Sequence, residues 1–220
     1  MKQSSKISSL VVRRLPRYYR FLSELKKSGI VRISSKELAR RMRLTASQIR
    51  QDLNCFGGFG QQGYGYNVDQ LSDEIEKILR LDNRLPAIMI GVGNLGRALA
   101  SFLYEAKGLN LIGLFDKNPK SVLDINPDLE VMSITKLDEF CDEHKPLIAI
   151  LCIPSEHAQQ MSARLVTLGI KGFWNFSHVD LHLDQNVCVE NVHLADSLMT
   201  LGYNVNRVLE ENGKGVQDEE

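Results

Sequence analysis

The 220-residue sequence predicts an α/β protein, a small helical domain ahead of a doubly wound parallel sheet. Three observations carry that reading. Charge divides along the chain: residues 1–80 hold 16 Lys and Arg against 7 Asp and Glu, and residues 81–220 hold 11 against 20. Such a split points to two domains, and a basic half points to a polyanion. Two helix-start signals, Ser34-Ser35-Lys36-Glu37 and Thr45-Ala46-Ser47-Gln48, follow one another closely. In each, the first hydroxyl is placed to accept a backbone N–H, and the fourth side chain to return the bond. Finally, a strand-like run enters Gly91-Val92-Gly93-Asn94-Leu95-Gly96 and leaves as a helical pattern.

Composition removes some classes. No apolar run approaches the ~20 residues of a membrane span. The N-terminus MKQSSKISSLVVRRL lacks an apolar stretch of signal-peptide length. Cys55, Cys141, Cys152 and Cys188 are scattered without Cys-x-x-Cys spacing. A metal site or a disulfide framework is therefore not expected, and a cytoplasmic location is.

In the basic half, residues 16–28 read as a first helix, with Pro16 in its first turn and Gly29 past its end. Tyr18, Phe21, Leu22 and Leu25 share one face. The first capping box opens a helix to about Arg43, with Leu38 and Met42 inward. The second opens a helix over 46–55, with Ile49 and Leu53 inward. Two helices this close must turn sharply, which is a helix-turn-helix. The second leaves Ser47, Arg50, Gln51 and Asn54 facing outward, residue types that suit base edges in a major groove. Arg40, Arg41 and Arg43 stand ready for phosphates. Phe56 to Tyr66 holds five glycines interleaved with aromatics, which reads as a wing. Leu71–Leu81 reads as one more helix, and the boundary falls near Asn83–Pro86.

In the acidic half, Ala87–Val92 reads as a buried strand and Leu95–Ala106 as a helix, with the glycines in the turn between. Gly91 makes the turn, Gly93 lets backbone reach a pyrophosphate, and Gly96 lets the helix approach the strand. A strand over 110–115 ends in Asp116, placed to accept from adenosine ribose hydroxyls and to repel a 2′-phosphate. The expected cofactor is NAD(H). Residues 136–143 read as a helix, Leu147–Ile153 as a strand, and Glu156–Leu168 as a helix capped by Ser155 and closed by Gly169. Ile170–Phe176 and Val187–Val189 read as strands. Cys152–Ser155 and Asn175–His178 should then line the same crevice as the glycine turn. His157 and His178 are weak acid–base candidates, no nucleophile–base pair is visible, and the residues left over do not amount to a substrate domain. The cofactor reads as a signal, and no catalytic residue is assigned. Leu194, Leu198, Leu201, Val205 and Val208 form a helical seam suited either to this domain or to a second subunit. The tail ENGKGVQDEE reads as disordered.

Together, Arg50-Gln51-Asp52-Leu53-Asn54-Cys55-Phe56-Gly57, Gly60-Gln61-Gln62-Gly63-Tyr64-Gly65-Tyr66, the glycine turn, Phe115-Asp116, Asn175-Phe176-Ser177 and Val189-Glu190-Asn191-Val192 resemble the Rex redox-sensing repressors over about residues 7–208. The resemblance implies a winged-helix domain over 1–83, a Rossmann domain over 84–192 and a C-terminal helix over 193–211 swapped between two subunits, with a tail over 212–220. It implies a homodimer that binds a palindromic operator, is released by NADH, and spans no membrane. Gly91, Val92, Gly93, Asn94, Leu95, Gly96, Asp116 and Lys117 would hold adenosine and pyrophosphate. Cys152, Ile153, Pro154, Asn175, Phe176 and Ser177 would lie nearer the nicotinamide. The implied DNA set is Arg14, Ser47, Gln48, Arg50, Gln51, Asn54, Gly60, Gln61 and Gln62. In the family an Arg, a Tyr and an Asp take part in the redox switch; Arg20 matches the first, while Phe102 and His193 stand at the other two positions. Two rival functions stand beside it: an NAD-dependent oxidoreductase with a helical appendage, and a repressor whose redox response is altered or lost, answering another nucleotide, such as coenzyme A, or none.

Overall fold

The computed structural model describes residues 8–55, 60–61, 64–119 and 129–214, the last three of them and residues 60–61 by backbone alone. The chain forms two compact units that meet between Asn83 and Arg84.

The first unit is a winged helix. Its elements run α1 (Ser9–Lys27), β1 (Arg32–Ile33), α2 (Ser35–Met42), α3 (Ala46–Asn54), β2 (Gly60–Gln61), β3 (Gly65–Asn67) and α4 (Val68–Leu79). The strands pair antiparallel in the order β1-β3-β2, so Gly60–Gln61 and Gly65–Asn67, which follow α3 in the chain, lie side by side. Phe56–Phe59, Gln62 and Gly63 lie outside the described residues. One core joins the helices to the small sheet: Leu15, Tyr18 and Leu22 of α1, Leu38 and Met42 of α2, Ile49 and Leu53 of α3, Tyr66 of β3, and Leu71 and Ile75 of α4.

Helix α1 begins seven residues earlier than the sequence predicts, capped by Ser8, and Pro16 lies inside it. Interior proline removes one helix hydrogen bond, the one to Val12, and costs roughly 3 kcal/mol. Val11, Leu15, Tyr18, Leu22 and Leu25 are all buried, and burying such side chains contributes about 1.5–3 kcal/mol each. The face runs unbroken through the proline, and Val12, which loses its partner, is exposed to water. Helix α4 also starts early, at Val68, because Asn67 accepts the Gln70 N–H and caps it. Ser34 caps α2 as expected, but Glu37 does not return the bond. Its carboxylate is taken by Arg40 and Arg41.

The second unit is a six-stranded sheet, parallel throughout, in the order β6-β5-β4-β7-β8-β9. Its elements are β4 (Leu85–Ile90), α5 (Asn94–Tyr104), β5 (Leu109–Asp116), β6 (Val131–Ser133), α6 (Leu137–His144), β7 (Ile148–Leu151), α7 (Ser155–Thr167), β8 (Gly172–Asn175), β9 (Cys188–Asn191) and α8 (Leu194–Lys214). Numbered within the sheet this is 3-2-1-4-5-6, the doubly wound order whose reversal between the first and fourth strands opens a crevice at their carboxyl ends. Two apolar layers cover the sheet, one built around Phe115, Leu165 and Phe173, the other around Met89, Leu103 and Ile150.

Strand β6 has no counterpart among the predicted elements; its three residues are half-buried at the sheet edge and show no apolar alternation. Ser155 is the first helical residue of α7 rather than its cap. Pro154 stays extended at ψ 147°, so the cap position falls on a residue with no side-chain acceptor. Helix α8 extends to Lys214, into the stretch read as a disordered tail; residues 215–220 lie outside the described residues. Among the described residues no helix is long and apolar enough to cross a membrane.

Candidate functional site

Each unit carries its own site. On the winged helix, Ser47, Arg50, Gln51 and Asn54 are exposed along α3, as the sequence predicts. Ile49, Asp52 and Leu53 are buried on the opposite face. Arg50 Nη1 donates to Ser35 Oγ at 3.2 Å, which steadies the guanidinium across the turn between the two helices. Arg40 and Arg41 pair with Glu37, and those hydrogen bonds hold its carboxyl down at about 2. Exposed pairs on one helix hold their partners weakly, so a phosphate competes with them easily. At the small sheet, Arg32 donates to the Tyr64 carbonyl and its guanidinium lies 6.0 Å from the Tyr64 ring centroid. Gly60 and Gln61 form β2, and Gln62 lies outside the described residues.

Arg14 is not a free cation. Its Nε donates to Asp52 Oδ2 at 2.6 Å and its Nη2 to Asp52 Oδ1 at 2.7 Å. A carboxylate with no solvent exposure must be paired, and this one claims Arg14, Tyr18 and Gln48 together. Burial alone pushes the Asp52 carboxyl up, but the hydrogen bonds from Arg14, Gln48 and Tyr18 outweigh it, and the carboxyl ends below its ordinary value. Asp52 is the residue that sequence reasoning missed. Its main partner is 38 positions away, and no local spacing points to it.

In the second unit the glycine turn is drawn tightly into the sheet. Gly91 holds φ +91°, and a Cβ there would stand 2.4 Å from the Cys152 carbonyl oxygen. A Cβ on Gly96 would stand 2.2 Å from the Gly91 oxygen, so α5 begins in direct contact with the turn. A Cβ on Gly93 would meet nothing within 4 Å, which leaves that backbone open to a ligand. Neither α5 nor α7 has a side-chain cap. Two helix N-termini therefore offer amide donors at the carboxyl ends of β4 and β7, the arrangement that binds pyrophosphate.

Asp116 ends β5. Its Oδ2 accepts the Val92 N–H and its Oδ1 the Asn118 N–H, both at 2.8 Å. Asn94 and Lys117 are exposed beside it, Leu95 is half-buried, and Asn94 Oδ1 accepts from Arg97. Backbone bonds then step across the strand ends: Gly91 to Phe115, Cys152 to Ile90, Phe176 to Leu151, and Val192 to Asn175. The sheet thus brings Gly91–Gly96, Asp116, Cys152–Pro154 and Asn175–Ser177 to one edge.

Asn175 serves that edge from within. Its Nδ2 donates to the Val179 carbonyl at 2.6 Å and to Asn191 Oδ1 at 2.8 Å, and its Oδ1 accepts from the amide and hydroxyl of Ser177. Both amide hydrogens are spent, so Asn175 braces the crevice and has no donor left for a ligand. Phe176 is buried edge-on against Trp174, ring centroids 4.7 Å apart. His178 holds φ +58°, a conformation closed to proline. Burial pushes the Cys152 thiol up to about 12.

The residues of the expected switch are divided between the two units, Arg20 in the first and Phe102 and His193 in the second. Arg20 is exposed on α1, its guanidinium 5.7 Å from the Phe21 ring centroid. Phe102 is exposed on α5. His193 Nε2 lies 3.0 Å from Asp180 Oδ1, so the residue ahead of α8 has an acidic partner in its own subunit.

A winged helix joined to a sheet built for a dinucleotide defines a class, the DNA-binding regulators that answer to a nucleotide. Comparison with known proteins narrows it. Residues 6–54 match the family described as "Putative DNA-binding protein N-terminus", and residues 82–179 match the CoA binding domain family. The chain is 54% identical over 207 residues to the redox-sensing transcriptional repressor Rex of Caldanaerobacter subterraneus subsp. tengcongensis, covering 94% of this chain and 92% of that protein. It is 49% identical over 202 residues to Rex of Clostridium acetobutylicum, covering 91% and 94%. Among solved structures it is similar to RSP, a Rex-family repressor. The complex of RSP with β-NAD+ and operator DNA superposes with a TM-score of 0.84 at 51% identity, over 98% of this chain and 99% of that one. The complex with β-NADH superposes at 0.85 and 48% identity, over 96% and 99%. The chain belongs to the Rex family of redox-sensing transcriptional repressors.

Proposed function

We propose that this chain binds a palindromic operator as a homodimer in the cytoplasm and leaves it when NADH occupies the crevice of the second unit. One observation carries the reading. The same chain holds an outward face of Ser47, Arg50, Gln51 and Asn54 and a glycine turn anchored to Asp116, at 51% identity to a repressor crystallised with both NAD+ and operator DNA. Pyrophosphate would sit over Gly93 at the α5 N-terminus, and the ribose hydroxyls would donate to Asp116. The nicotinamide would lie toward Cys152, Ile153 and Pro154, on a wall braced by Asn175, Phe176 and Ser177. Phosphates would be gripped by the arginines around α2 and by the wing.

Dimerisation would come through α8. Leu194, Leu198, Leu201, Val205 and Val208 are all exposed along it in the single chain, and a seam of this kind gains stability only against another helix. Two recognition helices so joined would read two half-sites, and NADH would favour an arrangement in which they no longer match both. A hundredfold loss of operator affinity needs about 2.7 kcal/mol of differential binding between the two arrangements. One or two polar contacts at Arg20 and His193 would be enough to supply it, with Phe102, which carries no polar atom, adding only packing. The assignment as a regulator, with no catalytic residue, agrees with relatives named as transcriptional repressors.

The test is fluorescence anisotropy on a palindromic duplex selected by the protein itself, titrated separately with NADH, NAD+ and coenzyme A. NADH alone should lower the anisotropy. An operator complex indifferent to NADH, or released by coenzyme A instead, overturns the sensor assignment.

A further inference from the structure

Two of the side chains expected at the DNA, Arg14 and Gln48, meet at one buried carboxylate. Asp52 Oδ2 receives Arg14 Nε and Tyr18 Oη, and Asp52 Oδ1 receives Arg14 Nη2 and Gln48 Nε2. Four donors fill the strong acceptor sites of a carboxylate. Arg14 and Tyr18 belong to α1, so the cluster also fixes the roll of α3 about its own axis. That roll decides which of its side chains face outward.

The consequence for Gln48 follows from donor chemistry. An ionised carboxylate can only accept, so the Gln48 amide must present its nitrogen to Asp52. The 2.8 Å contact lies inside the helix, four residues along. Among the described residues no donor reaches Gln48 Oε1, and Gln48 is half-buried in the first turn of α3, the part of a recognition helix that reads base edges. Freely rotating glutamine offers donor or acceptor with equal ease. Held by Asp52, it offers the acceptor.

We propose that Asp52 is a positioning residue for sequence reading, which turns the Gln48 carbonyl oxygen outward so that Gln48 selects a base carrying an exocyclic amino group. In the major groove those are adenine, through N6, and cytosine, through N4; guanine and thymine present oxygen at the same place. Arg14 acts in the same cluster, as the counter-ion that keeps Asp52 ionised. The proposal rests on the DNA-binding reading above and deepens it.

The test uses the full chain and a pool of random duplexes, from which bound duplexes are recovered and sequenced. The wild type should recover one strand position in each half-site where adenine or cytosine is preferred over guanine or thymine. A single hydrogen bond makes that preference roughly three- to tenfold in affinity. Gln48→Met should erase it at that position and leave the others. The double variant R14M/D52L replaces the buried ion pair with apolar side chains of similar size, an exchange that commonly preserves folding; thermal unfolding checks that it does. Its preference at the same position should fall to that of Q48M, and adding Q48M to it should change nothing more. Uniformly weaker binding by R14M/D52L with every preference intact would make Asp52 a packing element only and overturn the proposal. If the double variant does not fold, Asp52→Asn takes its place. Asparagine donates as well as accepts, so it no longer fixes which end of the Gln48 amide faces outward, and the preference that Q48M erases should weaken. A preference kept intact in this variant, or surviving in Q48M, overturns the proposal. A wild type that enriches no sequence at all would instead sink the repressor reading, a separate failure.

Discussion

The Val92 amide donates to Asp116 Oδ2 at 2.8 Å, so the glycine turn is fastened to the end of the neighbouring strand by the very carboxylate expected to hold the ribose. The acceptor is in place before a ligand arrives, which spares the cost of ordering it on binding. Asp116→Ala should weaken NADH binding about 10- to 100-fold, the range for hydrogen bonds to a charged group. Calorimetric titration measures it. Operator affinity without nucleotide should stay at the wild-type value, and NADP(H) should bind the wild type more weakly than NAD(H).

Gly93 and Gly96 should separate under the same substitution. Gly96→Ala drives a Cβ to 2.2 Å from the Gly91 oxygen, and overpacking of this kind costs about 1–3 kcal/mol. Its melting temperature should fall by several degrees. Gly93→Ala has open space around the new Cβ, so it should melt as the wild type does and lose nucleotide affinity where the pyrophosphate approaches.

Arg50→Ala should weaken specific operator binding by about 1–3 kcal/mol and relax selection at one base pair. Selection and anisotropy with the full chain check both effects. Full operator affinity in this variant would remove α3 from the role of recognition helix.

The ion pair between Arg14 and Asp52 should be visible in the acid limb of stability. The Asp52 carboxyl lies below its ordinary value in the folded protein. Its contribution is therefore complete above the unfolded value of about 3.9 and fades as pH falls through the lower folded value. Melting curves collected downward from about pH 5 should fall less steeply for R14M/D52L than for the wild type.

A single charge on the α8 seam should test the dimer. Leu198 is exposed in the lone chain, and Leu198→Asp should give a monomer by sedimentation velocity, with loss of operator affinity because half-sites are then read one at a time. A dimer that persists would move the interface elsewhere.

The parts of this molecule legible in its sequence are those set by local rules. Ser34 and Thr45 cap their helices because a hydroxyl three residues ahead of a backbone N–H can reach it. Gly91, Gly96 and Asp116 were readable because the turn, the close helix and the strand-end acid recur at fixed spacing. What escaped depends on tertiary packing. Pro16 reads as a helix start until the buried face on both sides of it is seen. Strand β6 exists through its pairing with β5, not through its own pattern. Asp52 looks like one more exposed charge on a polar helix until Arg14 arrives from α1.

The Cys152 thiol, pushed by burial to about 12, stays protonated at neutral pH and is a feeble nucleophile. Peroxide or an alkylating agent should therefore spend itself on Cys55 and Cys188, which are exposed, and leave the crevice chemically intact. A sensor so built registers the electron balance of metabolism by occupancy of that crevice, which reverses as soon as the cofactor departs.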